Sequence, residues 1–406
     1  FCDSDAECNG HGTCSLGTCL CQGDWVGETC EHDIYNNPSF MPDSNPGRSP
    51  SLCHRSSIWE QAAKDLQTDL MALHSLNHCV EEDNVMWLAA PHHGLGGNMH
   101  ILSVALTHAY THGKALGIVG EWPYGMHQGC QAWGLACYFE AHAPHCPHLF
   151  SREGDEGMLS RIMREEEPHW MWEQRDVVSA TGHCSHYLPN VADNAPWKFR
   201  HLGLLWWRSH ILSFLMDPNA HLQRRLRQVK NLIGYTHPII GLHIRHGDAC
   251  THATLSNYRP PCKSVSDYFD QVIKMGEKYD VSKVFVATDD DSVVQYIRAV
   301  YRNWDVIHLN LDRSNFHSNW FIEFRMKASL EANDTNLIDL QLVADSTVLD
   351  LMLLSESDYF VGGFSSHFSR LVLELSVANK GYVAPYVSLD LSYGMPGKTP
   401  PYATKQ

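Results

Sequence analysis

Three polar clusters in the second half of the chain have residue types suited to binding an anion. The first is His243-Ile244-Arg245-His246-Gly247-Asp248, which directly follows an apolar segment predicted to be a strand. Arg245 suits a pyrophosphate because its guanidinium group is planar and permanently charged. An Arg–Asp ion pair that stabilises a loop is the alternative explanation.

The second cluster consists of three adjacent carboxylates, Asp289, Asp290 and Asp291, after another predicted strand. These carboxylates could bind a divalent metal, cap the helix that follows, or hydrogen-bond the ribose or base of a nucleoside. The cluster alone leaves all three interpretations open.

The third cluster is a glycine- and serine-rich segment at the predicted start of a helix. Gly362 and Gly363 are followed by Ser365 and Ser366. Backbone N–H groups and hydroxyls at the positive end of a helix form an anion-binding arrangement. A simple serine N-cap is the alternative.

The elements that must position these clusters alternate between strand and helix after Pro238. The predicted strands are Ile239–Ile244, Lys283–Ala287, Val306–Leu309, Tyr359–Val361 and Tyr382–Ala384, and the predicted helices are Val265–Lys278, Ser292–Tyr301, Leu337–Ser355 and Ser366–Ala378. This alternation predicts an α/β fold with a Rossmann-like parallel sheet. Ligands of such sheets bind at the carboxyl ends of the strands. The three clusters are therefore expected to converge on one diphosphate-bearing ligand.

The first half of the chain contributes a second glycine-rich segment. Residues 85–90 are predicted to form a strand, Gly94–Gly97 a loop that closes over the ligand, and Ile101–Ala109 a helix. The segment from there to about residue 195 is expected to be loose. Two helices are predicted on either side of Pro218, at Leu202–Leu215 and Ala220–Leu232.

The histidines do not have the spacing of a metal centre. Many of the 27 His residues lie between residues 92 and 186, but no HExxH motif or facial-triad spacing occurs among them. A polar, partly exposed His-rich region is favoured over a zinc site.

Composition excludes several classes of protein. The chain has 406 residues, which suggests two or three domains, and 44% of them are hydrophobic, enough for a core. A net charge of −16 argues against binding to nucleic acid, where Lys and Arg dominate affinity. No apolar run reaches the roughly 18–20 residues of a membrane span. The chain begins at Phe1 rather than Met, which predicts that an upstream segment has been removed.

The cysteines indicate an oxidising compartment. Six of the 14 Cys lie within the first 30 residues, a segment too small for an adequate core without disulfides. The spacing resembles that of an EGF-like domain over residues 1–31, and this resemblance implies the pairs Cys2–Cys14, Cys8–Cys19 and Cys21–Cys30. Asn333 begins a glycosylation sequon. Cys250 and Cys262 are expected to form a disulfide that closes the insertion between them.

The motifs as a group resemble those of a known enzyme superfamily. His243-Ile244-Arg245, Val284–Asp290, and Asp350–Ser355 with Phe364-Ser365-Ser366 look like the three motifs of the α1,6-/α1,2-/protein O-fucosyltransferases. The similarity to the core α1,6-fucosyltransferases extends over about residues 58–390. It also implies a Cys79–Cys146 disulfide.

The resemblance implies a two-domain GT-B-like fold and transfer of fucose from GDP-β-L-fucose with inversion, without a required metal. From its position in the first motif, the resemblance implies that Arg245 binds the β-phosphate. The donor-binding residues that the resemblance implies are Gly94, Gly96, His100, Tyr124, His243, His246, Tyr268, Asp289, Asp290, Asp350, Ser365 and Ser366. His246 stands where the core enzymes have a second Arg, and their proposed catalytic Glu is absent from residues 249–264. Asp248 and His252 are the candidate bases.

The expected organisation is an EGF-like domain (1–31), a Pro-rich linker (32–55), an acceptor-side catalytic subdomain (56–230) and a nucleotide-sugar-binding subdomain (231–406). The leading hypothesis is a Golgi-lumen fucosyltransferase that modifies the core GlcNAc of N-glycans, attached to the membrane only through a removed N-terminal anchor. The alternatives are a secreted enzyme, a protein hydroxyl or another glycan as acceptor, and a non-catalytic EGF-bearing glycan-binding protein.

Overall fold

The structure is a computed structural model that describes residues 57–75, 84–90, 93–119, 122–127, 129–130, 134–140, 196–200, 202–247, 250, 262–316, 321–332, 337–391 and 393. Before residue 34 it also describes positions 4 and 6 and the backbone of four short strands. Among the described helices, none combines the length and the apolar character needed to cross a membrane.

The N-terminal segment contains two small antiparallel ribbons. Strand β1 (Gly12–Ser15) pairs with β2 (Thr18–Cys21), and β3 (Trp25–Val26) pairs with β4 (His32–Asp33). The three predicted EGF disulfides, the linker, the Cys79–Cys146 pair and Asn333 lie outside the residues whose side chains the structure describes.

The next part of the chain builds a two-stranded parallel sheet and a layer of helices. Its elements are α1 (Ser57–Leu73), β5 (Val85–Ala89), α2 (Leu95–Thr111), β6 (Ala115–Val119), a one-turn helix (Trp197–Arg200), α3 (Gly203–Leu215) and α4 (Ala220–Ile233). Strands β5 and β6 pair in parallel, with α2 as the connection between them. Asn219 caps α4 by accepting a hydrogen bond from the Leu222 amide, and Gly234 ends it in the left-handed conformation, with φ of 71°.

The last part of the chain forms a five-stranded parallel sheet flanked by helices. Its elements are β7 (Ile240–Ile244), α5 (Val265–Tyr279), β8 (Lys283–Thr288), α6 (Asp291–Val300), β9 (Asp305–Ile307), α7 (Ile322–Ala332), α8 (Leu340–Glu356), β10 (Tyr359–Gly362), α9 (His367–Lys380) and β11 (Tyr386–Ser388). Ser264 and Asp267 form a reciprocal capping box that fixes the start of α5.

The order of the strands determines where a ligand can bind. The order is β11-β10-β7-β8-β9, so the chain moves outward from β7 in one direction and then returns to β10 on its other side. All five residues of β7 are buried, which explains its nearly continuous apolar sequence. The strand order reverses beside β7, and the crevice at the carboxyl ends of β7 and β10 is the position that open α/β sheets use for ligands.

The predicted α/β class with a parallel sheet is confirmed, and the smaller sheet of β5 and β6 agrees with the two-domain GT-B-like class. One cluster of buried apolar residues includes Leu66, Trp206 and Phe364 and so extends through both halves of the chain. The boundary at residues 230 and 231 stays a prediction.

Two predicted elements were wrong. The last strand is Tyr386–Ser388 rather than Tyr382–Ala384. Its pairing with β10 begins at Pro385, whose carbonyl accepts a hydrogen bond from the Phe360 amide, so the predicted residues lie before the paired segment. Gly94–Gly97 is not a loop, since α2 begins at Leu95 and its first turn contains Gly96 and Gly97.

Several elements were missed, among them the following three. Strand β6 lies within the segment expected to be loose, and the one-turn helix Arg313–Phe316 and α7 lie between two predicted elements. Strand β6 is a run of only five residues, too short to be distinguished by periodicity alone.

Candidate active site

A cavity of about 170 Å³ lies at the carboxyl ends of β7 and β8 and extends to the start of α9, the helix that follows β10. Seven of the predicted site residues line it: Gly94, Gly96, Tyr124, His243, Arg245, Asp289 and Asp350. They come from five separate parts of the chain, so the described residues show the expected convergence of the glycine-rich segment with the strand-end clusters.

The other predicted residues lie elsewhere or outside the described part of the chain. His100, His246, Tyr268, Asp290, Ser365 and Ser366 are not part of the cavity wall. The two candidate bases, Asp248 and His252, are not among the described residues.

Positive potential converges on the cavity from three directions. Arg245 follows β7 directly, and the helices α2 and α9 both begin at the cavity wall, through Leu95 and His367. Helix N-termini carry unsatisfied N–H groups and a positive partial charge, and arginine carries a full charge. The arrangement suits a ligand with several negative charges.

Hydrogen bonds fix the start of α2 at the cavity. The Leu95 amide donates to the Tyr124 hydroxyl at 3.0 Å, and the His93 amide donates to Asn98 Oδ1 at 2.8 Å. Tyr124 is thus placed in the wall by a short helical turn at Pro123–Gly125, in a segment whose structure was not predicted.

Asp289 and Asp290 hold the loop that follows β7. Asp289 Oδ1 accepts the amides of His246 and Gly247 at 2.8 and 2.9 Å. Asp290 Oδ1 accepts the Ser292 amide at the start of α6, and its Oδ2 lies 2.9 Å from His246 Nδ1. The helix-capping interpretation of this cluster is therefore confirmed. Burial raises the pKa of Asp290, but the hydrogen bonds from His246 and Ser292 outweigh it and lower the pKa.

Asp350 is a buried carboxyl group in the cavity wall. Its exposed fraction is 8%, and its Oδ1 atom has no hydrogen-bond partner among the described residues. Burial raises the pKa of Asp350 to about 8, although the nearby Arg313 guanidinium opposes the shift. A buried polar atom that lacks a partner within the protein can be satisfied by a ligand donor.

His243 is positioned by the first turns of α9. Its Nδ1 lies 2.7 Å from Ser369 Oγ, and its ring packs on Phe368 with centroids 4.7 Å apart. Burial, with a further contribution from Arg245, lowers the pKa of His243 to about 3, so the ring is neutral at physiological pH.

The two serines of the third cluster have different surroundings. Ser365 is exposed, and its hydroxyl and amide both bond to Asp390. Ser366 occupies the N-cap position of α9 without making a side-chain cap, so the simple N-cap interpretation is wrong. The buried Ser366 Oγ has no partner among the described residues.

Several wall residues were missed: His93, Thr288, Glu323, Thr347 and His367. Thr347 lies one helical turn before Asp350 on α8, a spacing that could have indicated it. Glu323 belongs to α7, which was itself missed. His367 lies within the third cluster, but nothing in the sequence near it shows what it contacts.

Two disulfides occur among the described residues. Cys250 and Cys262, the pair that the sequence analysis expected, are bonded with Cα atoms 5.5 Å apart. Cys130 and Cys137, for which no pairing had been predicted, are also bonded. Within the described part of the chain, no group of three or more His, Cys, Asp or Glu side chains is arranged to hold a metal ion.

A parallel sheet whose switch-point crevice holds an arginine, two helix N-termini and a buried carboxyl group defines an α/β protein suited to a nucleotide. Residues 193–393 match the family model of the N- and catalytic domains of α-(1,6)-fucosyltransferases. This part of the chain, which contains the whole five-stranded sheet, is similar to that fucosyltransferase family. Residues 2–33 match the Teneurin-like EGF domain.

Individual relatives agree with the family match. An α-(1,6)-fucosyltransferase of Drosophila melanogaster is 26% identical over 194 residues, which make up 47% of this chain and 28% of the relative. The chain therefore spans less than a third of the length of this relative.

Two solved structures show weaker likeness. The fucosyltransferase NodZ from Bradyrhizobium is 15% identical, with a TM-score of 0.40 and coverage of 77% of this chain and 96% of that one. POFUT1 in complex with GDP is 12% identical, with a TM-score of 0.41 and coverage of 76% and 98%. Scores below 0.5 are too low to establish a shared fold.

Proposed function

We propose that the protein transfers L-fucose from GDP-β-L-fucose, with inversion, to the core GlcNAc of N-glycans in an α1,6 linkage. The observation that carries the proposal is the meeting of Arg245, the N-termini of α2 and α9, and the buried Asp350 around one cavity. The family match of residues 193–393 supports the identity of the donor.

The cationic side of the cavity suits the diphosphate of the donor. Negative charge grows on GDP as its bond to fucose breaks, and Arg245 with the two helix N-termini can stabilise that charge in place. No metal is required in this proposal, because the positive potential is supplied by the protein itself.

The carboxyl side of the cavity suits the nucleoside. Asp350 can accept hydrogen bonds from a base or ribose in an environment where water competes little. Asp289 lies in the same wall, and two backbone amides hold its carboxylate in a fixed orientation.

The acceptor and the compartment belong to the same proposal. The EGF-like match and the disulfides suit a secretory compartment, and we propose the Golgi lumen. A different glycan or a protein hydroxyl as acceptor would leave the donor site unchanged.

Two measurements test the proposal. Calorimetry with GDP should show binding, and mass spectrometry of a biantennary N-glycan incubated with GDP-fucose should show one added fucose, equally in buffer and in excess EDTA. GDP binding without transfer to this glycan would mean that the fucose acceptor is a different glycan or a protein hydroxyl. An absence of GDP binding would leave a non-catalytic, EGF-bearing glycan-binding protein as the better explanation.

A further inference from the structure

Three side chains form a continuous series of hydrogen bonds that begins in the cavity wall. His367 Nδ1 lies 2.5 Å from His100 Nδ1, and His100 Nε2 lies 2.7 Å from Glu374 Oε2. The side chains of His100 and Glu374 are completely buried, whereas His367 lines the cavity. The Tyr393 hydroxyl donates to the other oxygen of Glu374 at 2.6 Å and holds the carboxylate in place.

The crossing of α2 and α9 brings these residues together. A Cβ atom at Gly96 would lie 2.6 Å from the backbone of both His367 and Phe368, so only a glycine lets the helices approach this closely. His100 follows Gly96 by one helical turn and lies on the same face of α2. Glu374 follows His367 by two turns of α9, so both can reach His100.

The hydrogen bonds fix which nitrogen of each ring carries the proton. Burial raises the pKa of Glu374, but His100, Arg208 and Tyr393 outweigh it and keep the carboxylate ionised. An ionised carboxylate can only accept, so His100 donates through Nε2. Burial lowers the pKa of His100 and keeps its ring neutral, which leaves the lone pair on Nδ1. His367 must then donate through Nδ1, and its own lone pair is on Nε2.

We propose that His367 is the general base of the transfer reaction, with its Nε2 accepting the proton of the attacking hydroxyl, and that His100 and Glu374 are positioning residues. This inference rests on the proposed function. It supplies a base from the cavity wall itself, whereas the candidate bases Asp248 and His252 lie outside the described residues.

The step balances in atoms and charge. The acceptor oxygen forms a bond to the anomeric carbon of fucose while the bond from that carbon to the diphosphate breaks, and the electron pair leaves with GDP. The hydroxyl proton moves to His367 Nε2. The positive charge that results is stabilised through His100 by the Glu374 carboxylate, as in other base–orienter arrangements.

Several charged groups face this chain of side chains. Arg208 from α3, Arg370 from α9 and Arg245 after β7 all act to lower the pKa of His367, as do its burial and the neighbouring His100. Burial is the largest of these causes, and the direction ensures that His367 is unprotonated before the reaction. A bound diphosphate would offset the arginines and favour proton uptake by His367.

The first test is His367→Gln, in which an amide N–H still reaches His100 but no basic nitrogen remains. Transfer should fall by about 10²–10⁴-fold, the usual contribution of a general base, while the Kd for GDP stays within about threefold of wild type. His112→Gln is the matched control, because His112 is exposed and follows the same helix as His100. Transfer within threefold of wild type in His367→Gln overturns the proposal, and so does loss of GDP binding together with transfer.

The second test examines the positioning residues. Glu374→Gln should lower kcat by about 10-fold or more with little change in KM, and should move the acid limb of the kcat pH profile to lower pH because the carboxylate no longer raises the basicity of His367. A merely structural role would lower kcat without moving that limb, which would overturn the role of Glu374.

A third measurement uses the wild-type protein and so does not depend on the folding of a variant. Diethyl pyrocarbonate modifies unprotonated imidazole nitrogens, and peptide mapping should find His367 modified in step with the loss of transfer. Modification of His367 with transfer retained overturns the proposal. If the wild-type protein binds GDP and transfers fucose but the three expected results are not obtained, only the assignment of His367 as the base is contradicted. If the wild-type protein neither binds GDP nor transfers fucose, the proposed function is contradicted as well.

Discussion

At the residue scale, the strongest candidate for a direct catalytic contribution is Arg245. The Arg245→Ala variant should lose on the order of 10² or more in kcat/KM, at least ~3 kcal/mol, because a charge-assisted contact to the leaving diphosphate is lost. Arg224→Ala on the exposed surface of α4 serves as the control for removing an arginine. Steady-state transfer assays check both variants, and activity of Arg245→Ala within threefold of wild type contradicts the assignment.

The buried Asp350 should make GDP binding depend on pH. Its pKa of about 8 means that the carboxyl group is largely protonated at pH 7, whereas an acceptor of nucleoside hydrogen bonds must be ionised. Binding should therefore release a proton below pH 8, and affinity should rise with pH up to that value and then level off. Calorimetry in buffers of different ionisation enthalpy measures the proton. Asp350→Asn should abolish its release.

The site could be predicted from sequence only as far as local motifs extend. Arg245 was found because it follows a recognisable strand and its residue type suits the chemistry, whereas Asp350 was implied only by the resemblance to the fucosyltransferase motifs. The link between His100 and His367 could not be found, because 267 residues separate them and only the packing of two helices joins them. Asp290 was ambiguous because one carboxylate can cap a helix and bind a ligand with the same geometry.

At the scale of elements, the close contact between α2 and α9 at Gly96 should make the stability of the fold sensitive to a larger residue at that position. Gly96→Ala would place a methyl group against backbone atoms that cannot rotate away, so the helices must separate. The cost of overpacking is about 1–3 kcal/mol, which offsets the gain of ~1 kcal/mol that alanine brings to a helix. The net effect should be destabilising, and thermal or denaturant unfolding measures it.

A second glycine provides the control for this substitution. Gly94 has φ of −59° and no neighbouring atom within 4 Å of an added Cβ, so Gly94→Ala should change the unfolding free energy by about 1 kcal/mol or less. A Gly96→Ala variant at least as stable as wild type would show that the helices do not pack as described.

Elements with strong periodicity were predicted to within a few residues. Helix α5 was expected at Val265–Lys278 and ends one residue later, because its capping box and apolar face are local features. Strand β11 was misplaced because the apolar residues Val383 and Ala384 are buried without being paired in the sheet. The start of α2 was missed because glycine usually disfavours helix, and here a tertiary contact overrides that preference.

At the scale of the whole molecule, the described cavity wall comes only from residues between His93 and Phe368. Removal of residues 1–55, which contain the EGF-like match, should therefore leave the Kd for GDP within about twofold of that of the full chain. Calorimetry on both forms checks this expectation. A tenfold loss of affinity in the shortened chain would mean that the N-terminal segment contributes to the donor site.

The scattered origin of the cavity wall has a consequence for how the chain acquires activity. The turn at Tyr124 and the start of α2 must meet β7 and α9, which are made more than a hundred residues later, and parallel strands join only through long crossovers. Contacts of such large sequence separation form slowly and late in folding. A nascent or partly refolded chain can carry Arg245 on a finished strand and still have no pocket. The capacity to hold a nucleotide is thus a property that the chain gains only at the end of folding, and GDP can act on the folded form alone, stabilising it against unfolding by mass action.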